Sequence, residues 1–149
     1  MMIPVCPAEP QSLSSGTVDL WHIDIEPPPD KIIEARALLS RDELERAARF
    51  HFDIHRHRYI AGRAALRGIL AQYLGTSPQA LAFVYGEKGK PALTAQVNTR
   101  RLEFNLSHSH DRALLGVTVG STLGVDIERI NLEFGTDEIA THFFSAFEV

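Results

Sequence analysis

The sequence predicts an α+β fold in which helices pack on a small, largely antiparallel sheet, and three observations carry that prediction. Val18-Asp19-Leu20-Trp21-His22-Ile23-Asp24-Ile25 alternates with period two, the pattern of a half-buried strand. An apolar stripe at helical spacing (Ala65, Leu66, Ile69, Leu70, Tyr73, Leu74) belongs to a long helix from about Ile54 to Leu74, stopped by Gly75. Beyond Gly75 the periodicity changes to short strand-like runs separated by turn residues.

The elements follow in order. The first fifteen residues are rich in Pro and Ser, and residues 1–17 are expected as a loose tail before a domain over 18–149. Pro27-Pro28-Pro29 ends the first strand, and Asp30 is the expected N-cap of a helix reaching about Leu39. Ser40-Arg41-Asp42-Glu43 has the form of a capping box that restarts helix, with Leu44, Ala47, Ala48 and Phe50 following. On the long helix, Arg56, Arg63 and Arg67 are expected on the side away from the apolar stripe. Then come strands at Leu81-Ala82-Phe83-Val84-Tyr85, 102–105, 112–119 and 123–127, with a hairpin-like turn at Gly120-Ser121 between the last two. Helical spacing returns over 137–148 through Ile139, Phe143 and Phe144.

With 149 residues, 44% hydrophobic and 23% charged, the chain has the size and composition of one globular domain. The single cysteine, Cys6, excludes an intramolecular disulfide framework and suits a reducing cytoplasm. No stretch approaches the roughly 18 apolar residues of a membrane span, so no membrane partner is expected. Net charge is −4, yet the stretch from Arg36 to Arg67 holds eight of the twelve arginines and nets +4. That uneven distribution suits either an anionic ligand accompanied by a metal or simply solvated helix faces. Nucleic acid is not expected, because no basic and aromatic residues interleave at stacking spacing.

Four stretches bear chemistry. In Leu123-Gly124-Val125-Asp126-Ile127-Glu128, the carboxylates of Asp126 and Glu128 fall on one face of a strand, roughly 7 Å apart. Such a pair is either a solvated acidic face or a seat for a hard cation such as Mg²⁺. Gly89-Lys90-Pro91 is either a hairpin tip or a loop presenting an ammonium to a phosphate. Ser107-His108, at the end of an apolar strand, is either a polar strand end or a phosphate grip. His108, His110 and Asp111 suggest zinc, but no cysteine or further spaced histidine completes that set. His51, His55 and His57 form either a metal cluster or the polar start of a helix.

Taken in order, His57-Arg58…Gly62-Arg63, Gly89-Lys90-Pro91, Phe104-Asn105-Leu106-Ser107-His108-Ser109, Gly124-Val125-Asp126-Ile127-Glu128 and Phe143-Phe144-Ser145…Glu148 resemble the 4′-phosphopantetheinyl transferase superfamily, in its larger, Sfp-type branch. The resemblance covers about residues 18–149. It implies transfer of the phosphopantetheine arm of coenzyme A, with Mg²⁺, to a serine of an apo acyl or peptidyl carrier protein. By the same resemblance Asp126 and Glu128 hold the metal, while Lys90, Ser107 and His108 bind coenzyme A around its 3′-phosphate. Arg58 and Arg46 match basic positions near the nucleotide phosphates, and Glu148 belongs to the metal and proton-transfer region.

The family is built from two similar halves, the second opening on a Trp-x-x-Lys-Glu-Ala helix. No such motif occurs here, where the one tryptophan is Trp21. The chain therefore resembles the N-terminal half, and is expected to be a truncated product or a fragment. It is expected to bind Mg²⁺ and coenzyme A weakly, and to expose an apolar face that favours a homodimer. The alternative to an enzyme is a non-catalytic coenzyme A-binding or interaction half that pairs with another chain.

Overall fold

The computed structural model of the chain describes residues 11–87 and 89–130. Its elements are β1 (Asp19–Asp24), α1 (Pro29–Arg36), α2 (Arg41–Ala48), α3 (Asp53–Leu74), a 3₁₀ turn (Pro78–Ala80), β2 (Phe83–Tyr85), β3 (Pro91–Leu93), β4 (Leu102–Ser109) and β5 (Arg112–Val119). The α+β class expected from the sequence is what forms. The expected helix over 137–148, with Phe143, Phe144 and Glu148, lies outside the described residues.

Strands β1, β5 and β4 make a three-stranded antiparallel sheet in that order, and β2 pairs with β3 in a separate two-stranded hairpin. Pairing Leu106 and Leu115 with Trp21, and His108 and Ala113 with Ile23, sets the faces of the larger sheet. Its inner face carries Trp21, Ile23, Phe104, Leu106, Ala113, Leu115 and Val117 against α3. Its outer face carries Leu20 and His22, then Leu114 and Gly116, then Asn105, Ser107 and Ser109, a mixed surface.

Helix α3 runs through the middle, buried from Ile60 to Tyr73 and flanked by α1, α2 and β1. Over that stretch it lacks the open side expected for Arg63 and Arg67. It stops where Gly75 takes the left-handed conformation, φ 61°, and its N–H returns to the Ala71 carbonyl. Arg100 Nη1 completes that end by donating to the carbonyls of Tyr73 and Gln11, each at 2.7 Å. Gln11 N–H also donates to Gln72 O, so part of the expected loose tail is fastened to the helix end.

Three details differ from the sequence reading. Helix α1 is capped by Pro28 with Pro29 at its first position, and Asp30 lies inside the first turn, because proline's missing N–H costs nothing there. The turn between the long strands falls at His110-Asp111, closing β4 onto β5 with two residues, and β4 consequently continues through Ser109. His110 takes φ 53°, as such tight hairpins require, without a glycine to announce it. Finally, residues 123–127 do not join a sheet, although burial alternates as expected: Leu123, Val125 and Ile127 are half-buried, Asp126 and Glu128 exposed. The capping box does form, with Ser40 N–H donating to Glu43 Oε2 at 2.9 Å.

Candidate functional site

Two of the expected helix-face arginines turn inward. Glu43 on α2 is 1% exposed and receives Arg63 and Arg67 of α3, one on each carboxylate oxygen. Arg67 Nε is 2.7 Å from Glu43 Oε2, and its Nη1 donates to the carbonyls of Pro78 and Leu81. Arg63 Nη2 reaches the Tyr85 hydroxyl at 3.0 Å, and the guanidiniums of both arginines lie over the Phe83 ring. Burial alone would raise the Glu43 carboxyl, but Arg63, Arg67 and the Ser40 N–H overcome it and hold the group below its ordinary value. Two of the eight arginines in the arginine-rich stretch are thus committed to the core.

Two others, Arg46 and Arg58, line a cleft of about 730 Å³ between the start of α3, the end of α2 and the β4–β5 turn. Arg46, Arg58, His55, His108 and His110 supply its cationic and titratable groups. Phe50, Tyr59 and Gly62 supply an apolar and aromatic wall, and Glu128 stands on the rim. Arg58 Nε is tied to Glu26 Oε1 at 2.7 Å in an exposed pair, and Arg46 stacks on Tyr59 with 5.6 Å to the ring centroid. The buried Tyr59 hydroxyl has no hydrogen-bond partner among the described residues, and burial raises the phenol above its usual range. The sequence reading passed Tyr59 over; its place directly after His57-Arg58 was the available signal.

The expected site residues divide into two groups. Arg46, Arg58, His108 and Glu128 share the cleft. Lys90, Ser107 and Asp126 lie outside its lining and engage the extended segment that carries Glu128. Lys90, in the β2–β3 loop just before β3, donates to the Leu123 carbonyl at 3.3 Å. Ser107 Oγ donates to Asp126 Oδ1 at 2.8 Å, and Ser109 Oγ to Glu128 Oε2 at 3.1 Å. Two exposed carboxylates among hydroxyls are hard oxygen donors that fit Mg²⁺, which is commonly held by one or two carboxylates plus substrate phosphate and water. Neither the histidines near the start of α3 nor His108, His110 and Asp111 form a group of three or more ligands able to hold a metal among the described residues.

The sequence has known relatives. The family model for the N-terminal part of 4′-phosphopantetheinyl transferases matches residues 24–123. The chain belongs to the 4′-phosphopantetheinyl transferase family. Among curated relatives, the 4′-phosphopantetheinyl transferase HetI of Nostoc sp. is 41% identical over 133 residues, which is 89% of this chain and 56% of HetI. The 4′-phosphopantetheinyl transferase of Bacillus subtilis is 32% identical over 112 residues, 75% of this chain and 47% of that protein. AcpT of Escherichia coli K12, also a 4′-phosphopantetheinyl transferase, is 37% identical over 90 residues, 60% of this chain and 41% of AcpT. The chain spans about half the length of the curated transferases it matches.

Proposed function

We propose that this chain supplies the nucleotide-binding half of a transferase that moves the 4′-phosphopantetheine arm of coenzyme A onto a serine of an apo acyl or peptidyl carrier protein. The observation that carries the reading is the cleft in which Arg46, Arg58 and His108 converge on an aromatic wall beside Glu128. Guanidinium groups bind phosphate oxygens through paired charge-assisted hydrogen bonds, and His108 adds a further donor when protonated. Phe50 and Tyr59 offer rings against which a purine can lie.

In the reaction the carrier serine oxygen bonds to the phosphorus that bears the pantetheine arm. The bond from that phosphorus to the bridging pyrophosphate oxygen breaks, and adenosine 3′,5′-bisphosphate leaves with the negative charge. Arg46 and Arg58 stabilise that charge by electrostatic complementarity already in place before reaction. Asp126 and Glu128 would hold Mg²⁺, which when bound supplies charge neutralisation at the pyrophosphate. A carboxylate takes the serine proton, and Glu148 is assigned that role.

The test is incubation of purified apo carrier protein with coenzyme A and Mg²⁺, with the chain alone and with a separately expressed C-terminal half of a relative. Mass spectrometry then reads the gain of one phosphopantetheine arm. Gain that requires both halves, and is lost in Asp126→Asn, is the expected outcome. Absence of any gain, together with equal affinity for coenzyme A in the wild type and in an Arg46→Ala/His108→Ala variant, would overturn the assignment.

A further inference from the structure

The segment that carries Asp126 and Glu128 is held to the sheet in an unusual way. Residues 123–129 run parallel to β4 at a constant offset of twenty residues, yet no backbone–backbone hydrogen bond joins the two among the described residues. Side chains take the place of the ladder. Asn105 Oδ1 accepts from Val125 N–H at 2.8 Å, Ser107 Oγ from Ile127 N–H at 3.3 Å, and Ser109 Oγ from Arg129 N–H at 3.2 Å. Each serine hydroxyl also donates, Ser107 to the Asp126 carboxylate and Ser109 to that of Glu128. One hydroxyl can accept and donate at once, so each serine grips both the backbone and the preceding acidic side chain.

The seat beneath the segment is equally particular. Gly116 lies beside Asn105 on the outer face of the sheet, and a Cβ there would fall 2.7 Å from both Leu123 Cδ1 and Val125 Cγ1. The missing side chain is what lets the segment settle on the sheet.

We infer that Asn105, Ser107 and Ser109 act as positioning residues, a side-chain ladder that sets the height and orientation of the Asp126 and Glu128 carboxylates. The inference rests on the reading of those two acids as the metal-holding pair and adds to it. By engaging one oxygen of each carboxylate, Ser107 and Ser109 leave the other oxygen for a cation, the arrangement by which outer hydrogen bonds orient metal ligands. Ser107 thereby acquires a role distinct from direct contact with coenzyme A.

Amide hydrogen exchange by NMR on the full chain tests the ladder independently of any metal. Ser107→Ala is expected to speed exchange at Ile127, Ser109→Ala at Arg129 and Asn105→Ala at Val125, with the amides of β5 unchanged. Ser107→Thr and Ser109→Thr, which keep the hydroxyl, are expected to retain wild-type rates. Exchange at 125, 127 and 129 unaltered by the alanine variants would overturn the ladder.

Mn²⁺ titration followed by electron paramagnetic resonance, with coenzyme A present, tests the positioning. Affinity is expected to fall about tenfold in Ser107→Ala and Ser109→Ala and to recover in the threonine variants. Loss of affinity in Asp126→Asn but not in either serine-to-alanine variant would overturn the positioning role. No effect of Asp126→Asn would instead overturn the metal assignment beneath it, and the exchange data would then decide the ladder alone.

Discussion

Arg63 and Arg67 come from the same arginine-rich stretch as Arg46 and Arg58, yet the two pairs have opposite fates. The first pair is buried on a single carboxylate, Glu43, and stacked on Phe83. The second stands at an open cleft, Arg58 in an exposed pair with Glu26 and Arg46 against the Tyr59 ring. The first pair ties α2, α3 and the turn after α3 together; the second is left with charge for a ligand. The lesson is that the +4 of the arginine-rich stretch measures neither a surface potential nor a binding site. Which carboxylate sits in the core decides how much of it reaches solvent.

The sharpest way to break this contrast is Glu43→Ala. It leaves two guanidiniums buried without a counter-charge, and the expected loss is about 3–5 kcal/mol in chemical denaturation. If the loss were no larger than for an exposed pair, the buried cluster would not be holding the helices together. The same residue makes a pH prediction. Because the folded carboxyl titrates below its ordinary value of 4.5, its contribution is present above that pH and fades as pH falls further, towards the lowered folded value. Glu43→Gln is expected to lower stability at neutral pH and to flatten that acid limb, which denaturation midpoints measured between neutral and acidic pH would reveal.

A smaller effect is expected at the cleft. Arg46→Ala and His108→Ala should each weaken coenzyme A binding by about tenfold, or about 1.4 kcal/mol, in calorimetry. Their unfolding midpoints should stay near wild type, since both side chains are exposed. Weaker still is the stability effect of Arg58→Ala. Its pair with Glu26 is partly solvated, and a loss under about 1 kcal/mol is expected. A stability loss at Arg58 matching that at Glu43 would erase the distinction between the two regions.

The parts legible in the sequence are those written in consecutive residues. Alternation around Trp21 and Ile23 gave β1, Ser40 and Glu43 gave the capped start of α2, and Gly75 gave the end of α3. The exposed placement of Asp126 and Glu128 was legible in the same way, from period two alone. Longer-range facts were not. Glu43 meets its arginines 20 and 24 positions away, and nothing local distinguishes a buried arginine from a solvated one. The turn at His110-Asp111 carries no glycine, so the sequence reading ended the preceding strand at Asn105 and marked no turn there. Residues 123–127 have a strand's alternation without a strand's hydrogen bonds, because their partners are side chains of Asn105, Ser107 and Ser109. Alternation reports which way side chains face; it does not report what the backbone bonds to.

That mode of attachment has a consequence for how the molecule opens. The main-chain bonding of β1, β5 and β4 is complete by Val119, and none of it passes through the acidic segment. Dependence therefore runs one way. The segment needs the sheet to hold it, whereas the sheet can shed the segment and keep every rung of its own. Release of residues 123–129 is therefore expected as a partial unfolding step below global unfolding in free energy, a door that swings while the wall stands.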